Sequence, residues 1–322
     1  MNPYVFLVGC PRSGTTLLRR IADAHPQLAV ARGTRWIPRT FEFRRGLTED
    51  GDVTPKLLER LRDPFRLERL ALEEEDLERL LASRERMSFA DFVTALYDLY
   101  GDRHEKPLVG DKTPGYVRYL PTLHGLWPWA KFVHIVRDGR DVCLSVLDWR
   151  KDATGFCTFG RDPVTTIAVW WEWYVRLGLE GASELEPDLC HEVRYESLVD
   201  APERECRRLC RFLGLPFDDA ILRFHEGRMR DDPELDAKRA WRPVTPGLRS
   251  WRSQLPHEDV VRFEAAAGEL LEELGYERAT ASVPRSELAR AARVREAFTS
   301  EVRARGRPLP RAWSPEKVAA FP

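Results

Sequence analysis

Three absences narrow the possibilities before any motif is read. The 322-residue chain has no C-x-x-C pair, and none of its six cysteines (10, 143, 157, 190, 206 and 210) has a histidine at metal-ligand spacing. Zinc-finger and thioredoxin-like chemistry are thereby excluded, no metal is expected, and the thiols read as reduced and mostly buried. There is no excess of charge: 51 Lys and Arg stand against 52 Asp and Glu. A net charge of −1 gives no whole-chain signal for nucleic acid or a membrane surface, so neither is expected as a partner. There is also no apolar run long enough to span a bilayer. The opening MNPYVFLVGCPRSGTT carries no basic leader region and no cleavage site, so the expectation is a soluble, cytoplasmic protein.

What is present is concentrated in Tyr4 to Asp23, YVFLVGCPRSGTTLLRRIAD. An apolar run with β-branched Val5 and Val8 breaks at Gly9, passes through Cys-Pro-Arg-Ser and resumes after Gly14 as Leu17, Leu18 and Ile21 at helical spacing. This predicts strand, loop, helix. The two glycines stand where those of a phosphate-binding loop stand, so backbone N–H groups and the helix N-terminus can hold an anion. A nucleotide triphosphatase needs Lys after the second glycine to reach the β/γ-phosphates, and Thr15 and Thr16 stand here instead. A kinase is therefore a distant reading. Arg12, inside the loop, supplies a planar bidentate cation suited to phosphate or sulfate oxygens. The bland alternative is a structural glycine turn.

Further along, PLVG, KFVHIV and CHEVRYESL read as short buried strands and alternate with helical stretches, the rhythm of a parallel sheet flanked by helices. Lys112 lies between Asp111 and Thr113-Pro114, where PLVG gives way to a turn. A second glycine turn, Arg137-Asp138-Gly139-Arg140, follows KFVHIV, with Ser145 eight residues after Arg137. Arg137 offers a fork of donors to a phosphate and Ser145 a hydroxyl; the alternative for Arg137 is an ion pair with Asp138 or Asp141. Arg32, Arg35 and Arg39 bring cations to the same end of the sheet. Residues 45–105 are charged and helical, with Leu67, Leu70, Leu77, Leu80 and Leu81 on a stripe, which fits either a cover over the site or a solvated amphipathic layer. The aromatic WWEWYVRLGLEGA helix reads as core more readily than as a stacking platform. FDDAILRFHEGRM reads as a helix, and PHEDVVRFEAAAGELLEELGYE as an amphipathic helix ending at Gly275. Residues 1–280 are taken as one domain. The stretch 281–322, nine basic residues against four acidic, is a tail with a helix to about Arg303, either wrapping a neighbour in a homodimer or an appendage.

PRSGTTLLRRIADAHP, GDKTP through VRDGRD, and VRYESL with the helix after it resemble the sulfotransferases that use 3′-phosphoadenosine 5′-phosphosulfate (PAPS). The likeness runs from Tyr4 to about Gly275, and lies with the branch that holds bacterial sulfotransferases and the protein-tyrosine sulfotransferases of the secretory pathway. The resemblance implies an α/β fold with a P-loop-like parallel sheet, and transfer of a sulfuryl group from PAPS to a hydroxyl, leaving adenosine 3′,5′-bisphosphate. It makes Pro11, Arg12, Ser13, Gly14, Thr15 and Thr16 the 5′-phosphosulfate loop, and Arg137 and Ser145 the 3′-phosphate element. Tyr195 is implied near the cofactor, and Arg242, Arg249 and Arg252 in a segment closing over the nucleotide. Arg12 and Lys112 are the implied catalytic cations, and a small-molecule acceptor, such as a secondary metabolite, is the expectation.

One departure stands out. The branch carries a Glu base immediately before the Thr-Arg of the segment after the first helix, and this chain has Gly33 there. Three expectations follow. Asp111, or less readily His25 or His134, serves as base; the acceptor is an acidic phenol or enol; or the protein binds PAPS without turning it over, as a nucleotide-binding or scaffold protein.

Overall fold

The computed structural model describes residues 1–82, 86–148, 160, 162–226 and 250–313. Five apolar runs form one wholly parallel sheet: β1 (Val5–Gly9), β2 (Leu28–Ala31), β3 (Leu108–Asp111), β4 (Lys131–Val136) and β5 (Cys190–Arg194), in the order β2-β3-β1-β4-β5. Strands covered by helices on both faces need apolar side chains on both, and β1 and β2 are buried at every residue. Because β1 is central, the connections from its two sides diverge at its carboxyl end, the switch point where open α/β sheets bind ligands.

The helices follow in chain order. α1 (Thr15–Asp23), α2 (Ile37–Glu42), α3 (Pro55–Leu61), α4 (Pro64–Arg69), α5 (Glu74–Ala82) and α6 (Phe89–Arg103) precede β3. A 3₁₀ segment, Pro114–Tyr119, leads into α7 (Leu120–Leu126), and α8 (Gly139–Leu147) and α9 (Pro163–Ser183) separate β4 from β5. α10 (Tyr195–Asp200), α11 (Pro202–Leu213), α12 (Trp251–Gln254), α13 (His257–Glu273) and α14 (Arg285–Ala304) follow β5 among the described residues. Two apolar clusters sandwich the sheet. One holds Phe6, Phe132 and the α9 tryptophans, the other Leu7, Val133, Leu18 and the α11 face with Cys206 and Cys210. Trp170, Trp171 and Trp173 are fully buried, so α9 is core. Cys10, Cys143, Cys190, Cys206 and Cys210 are free thiols.

Helices α3 to α6 occupy the charged stretch, with Leu67, Leu70 and Leu77 buried and Leu80 half-buried. Two expectations are corrected. β5 stops at Arg194, so Tyr195 opens α10 instead of continuing the strand toward Leu198. The described part of FDDAILRFHEGRM holds only a 3₁₀ turn, Asp219–Ile221, because the Asp218 carboxylate accepts from Ala220 N at 2.8 Å and closes a tight turn in place of a helix.

Candidate active site

The loop after β1 is built on left-handed backbone. Gly9, Arg12 and Gly14 have φ of 148°, 76° and 94°. A Cβ at Gly9 would lie 2.5 Å from the carbonyl oxygen of Ile135, and one at Gly14 would lie 2.4 Å from the Tyr195 ring. Both glycines are therefore required by close approach as well as by φ. The Gly14 N-cap offers no side-chain acceptor to the first turn of α1, and no acidic residue stands there. The orphan N–H groups of α1 are thus directed at the loop, the arrangement that favours an anion. Arg12 is a non-glycine residue held at positive φ, a costly conformation of the kind that clusters at functional sites.

Arg12 and Arg137 meet on one edge of the sheet. Arg12 Nε donates to Ser145 Oγ at 3.0 Å, and Arg137 Nη1 donates to the Arg12 carbonyl at 3.4 Å. Arg137, 6% exposed, lies over the Tyr195 ring at 4.2 Å and 3.6 Å from the Asp141 carboxylate. Ser13 and Thr15 are buried, and Pro11, Gly14 and Thr16 half-buried. The structure therefore brings Arg12, Gly14, Arg137, Ser145 and Tyr195 into one cluster across the ends of β1, β4 and β5. Arg137 thus makes the ion pair with Asp141 while its guanidinium lies at the edge of the loop.

On the other side of β1, Lys112 follows β3 and is half-buried. Gly33 (φ 59°) abuts it, and a Cβ at 33 would lie 2.8 Å from the Lys112 carbonyl. Arg69 of α4 reaches over from the insertion: its Nη1 donates to the Gly33 carbonyl at 2.9 Å and to that of Arg32. Arg35, exposed, is held at φ 65°.

Asp111 does not present itself as a base. It is 0% exposed, and its oxygens accept from Thr34 N at 3.2 Å, Tyr97 Oη at 3.0 Å and Thr113 Oγ1 at 2.6 Å. Burial raises its pKa, while those three donors work the other way. It ties α6, β3 and the Gly33–Arg35 segment together, which is a structural task. The histidines are similarly committed: His25 Nε2 is bonded to the Pro216 carbonyl, and its Nδ1 accepts from Gln27 N. His134 is buried in β4 against Gly178. Thr34, Tyr97 and Tyr116, whose hydroxyl meets Thr34 Oγ1 at 2.6 Å, escaped sequence reasoning. They are ordinary core-type residues whose partners lie 14 to 82 positions away. Arg242 and Arg249 lie outside the described residues. Arg252 is exposed, over Trp251 and 3.6 Å from Glu277.

Three arginines from distant parts of the chain stand near one another, two of them over aromatic rings. Arg118 lies 4.7 Å from the Trp173 ring centre and 5.0 Å from that of Tyr174; Arg39 lies 5.6 Å from that of Phe43. Trp173 Nε1 donates to the Pro308 carbonyl at 2.8 Å, which places Arg307 beside them. Burial and the neighbouring charge of Arg118 push the Arg307 guanidinium down to about 10. Glu42 faces this cluster; burial raises its pKa, partly offset by Thr122, Arg39 and Arg118.

A model described as "Sulfotransferase family" matches residues 3–219. The chain belongs to the sulfotransferase family. Protein-tyrosine sulfotransferase A of Caenorhabditis elegans is 28% identical over 282 residues, covering 86% of this chain and 68% of that protein. Protein-tyrosine sulfotransferase 1 of Danio rerio is 30% identical over 283 residues, covering 85% and 72%. Among solved structures, the sulfotransferase domain of the Synechococcus PCC 7002 olefin synthase is similar at 26% identity and a TM-score of 0.56, covering 86% of this chain and 95% of that domain. The protein is accordingly a sulfotransferase with a parallel sheet flanked by helices. These matches overturn the expectation of a cytoplasmic protein, because the relatives are protein-tyrosine sulfotransferases, the branch associated above with the secretory pathway. Among the described residues, no helix is long and apolar enough to cross a membrane.

Proposed function

We propose that this sulfotransferase moves SO₃ from PAPS to a phenolic hydroxyl of the tyrosine type. The observation that carries the reading is the joining of Arg12, Ser145 and Arg137 at the mouth of the glycine loop, which supports two anion cradles on one sheet edge for the two phosphate ends of the donor. In the transfer, the acceptor oxygen bonds to sulfur and gives up its proton to solvent, while the sulfur–oxygen bond to the 5′-phosphate breaks and its electron pair leaves on that phosphate. Arg12, the loop amides and the α1 N-terminus balance the leaving phosphate, and Lys112 the transferring oxygens. Tyr195 and Arg137 hold the nucleotide end.

A phenol is the acceptor that suits a site where Asp111 is fully engaged, because its own acidity lightens the demand on a base. The names of the relatives support tyrosine over the small-molecule acceptor expected from sequence. The arginines at 39, 118 and 307 support a tyrosine with acidic neighbours, since guanidinium groups over aromatic rings suit carboxylates. The test is labelled-sulfate transfer from PAPS to tyrosyl peptides with acidic or neutral flanks and to simple phenols and alcohols. Transfer to the acidic tyrosyl peptide, abolished by Arg12→Ala and Lys112→Ala, is expected. Transfer to aliphatic alcohols but to no phenol would refute the acceptor assignment. Failure to bind adenosine 3′,5′-bisphosphate would refute the donor.

A further inference from the structure

A buried ionic clasp stands behind Arg137. Arg140, 1% exposed, grips Asp138 with two bonds, Nε to Oδ1 at 3.0 Å and Nη2 to Oδ2 at 2.7 Å. Its remaining donor, Nη1, reaches Glu264 Oε1 and the Glu277 carbonyl, at 2.8 and 2.9 Å. Glu264 lies on α13 and is 2% exposed; its Oε1 also accepts from Ala279 N at 2.8 Å, and its Oε2 from Thr280 N at 3.1 Å and the Thr280 hydroxyl. Arg278 adds a more distant charge at 3.9 Å. One carboxylate thus fastens the chain from Glu277 to Thr280 onto the turn that carries Arg137.

The clasp acts on the turn through Asp138. That residue caps α8, its amide is held by Glu196 at 2.9 Å, and its Oδ2 also accepts from Trp251 Nε1 at 3.0 Å. Trp251 lies against the Arg140 guanidinium at 3.7 Å, and its own amide donates to Asp141, the ion-pair partner of Arg137. Both acidic neighbours of Arg137 on this turn, Asp138 and Asp141, are thus tied to Arg140 directly or through Trp251, beside the contacts of Arg137 with Arg12, Tyr195 and Trp171. An anion site works only when its cation is held by neighbours whose own positions are fixed.

We propose that Glu264, outside the segment matched to the family, is a positioning residue that sets Arg137 for the donor's 3′-phosphate through Arg140 and Asp138. The inference rests on the donor reading given above. Glu264→Gln keeps the shape and removes the charge that orients Arg140, and the expected result is a loss of affinity for adenosine 3′,5′-bisphosphate of about tenfold, comparable to losing an outer-shell partner elsewhere. Affinity for adenosine 5′-phosphate, which lacks the 3′ group, and KM for the acceptor should not move.

Titration calorimetry of both nucleotides, on wild type, Glu264→Gln, Arg137→Ala and the double variant, separates the possibilities. In the Arg137→Ala background, Glu264→Gln should cost nothing more. An equal loss in both backgrounds, or an equal loss for both nucleotides, would show general destabilisation and overturn the proposal. If Glu264→Gln does not fold, Thr280→Val takes its place: it removes one hydroxyl donor to Glu264, and a smaller loss confined to the 3′-phosphorylated nucleotide is expected. Unchanged affinity for that nucleotide in a folded variant would likewise overturn the role of Glu264. No binding of adenosine 3′,5′-bisphosphate to the wild type would overturn the donor reading and this inference with it.

Discussion

Gly14→Ala offers the sharpest test of how the donor loop is built. Two costs can be separated. The first is conformational: at φ 94° an alanine pays about 1 kcal/mol relative to glycine. The second is steric, since the new methyl would lie 2.4 and 2.8 Å from two carbons of the Tyr195 ring. Tyr195 cannot simply swing away, because Arg137 lies over its ring. Overpacking of this kind costs about 1–3 kcal/mol. The sum, about 2–4 kcal/mol, appears either as lost stability or, where the loop yields instead, as a loss of donor affinity of roughly 30- to 1,000-fold. Urea denaturation and calorimetric titration with adenosine 3′,5′-bisphosphate read the two channels. In a Tyr195→Ala background the ring is gone, so the cost of Gly14→Ala should fall to the conformational share of about 1 kcal/mol. An undiminished cost in that background would show that the ring does not press on Gly14, and the account of the loop would fail.

Three further outcomes follow from the geometry. Asp111→Asn should lower stability by about 1–3 kcal/mol, because one of its buried donors loses its acceptor, while the acid limb of the pH–rate profile stays where it was; a shift of that limb would restore Asp111 as the base. His134, whose pKa burial pushes down to about 4, is held neutral in the folded protein and charges more readily when unfolded. Its contribution is therefore complete above the ordinary histidine range near 6.5 and is lost as pH falls toward 4. Between pH 7 and 5 the wild type should lose about 2 kcal/mol more stability than His134→Val, and equal pH slopes would refute this. Arg118→Ala and Arg307→Ala should each reduce kcat/KM for a tyrosyl peptide with acidic flanks by about tenfold, roughly the value of a charge-assisted hydrogen bond, and leave a neutral peptide unaffected.

The sheet was legible because buried parallel strands are almost continuously apolar. The KFVHIV strand and the two glycine turns appear where the sequence puts them. Local structure was legible where one short segment carried it, as with the glycine loop that holds Arg12 at positive φ and the end of β4 that leads into Arg137. What could not be read were contacts closed by tertiary structure. Asp111 stands next to Lys112 and looks available in one dimension, yet Tyr97 and Thr34 arrive from elsewhere to bury it. Glu264 reads as one acidic position on an amphipathic helix, and nothing nearby in sequence announces that Arg140, 124 residues away, will point at it. CHEVRYESL reads as strand beyond Arg194 because Val193 to Glu196 alternates apolar and polar, while the backbone turns helical at Tyr195.

The placement of β1 has a consequence for biosynthesis. Its partners are β3 and β4, so this apolar stretch pairs only with chain made more than a hundred residues later. At ordinary elongation rates that interval is roughly ten seconds. During it Val5 to Gly9 is an unsheltered sticky segment, and early truncation products should aggregate or recruit chaperones. The loop after β1 is thus made long before the strands that give it its shape.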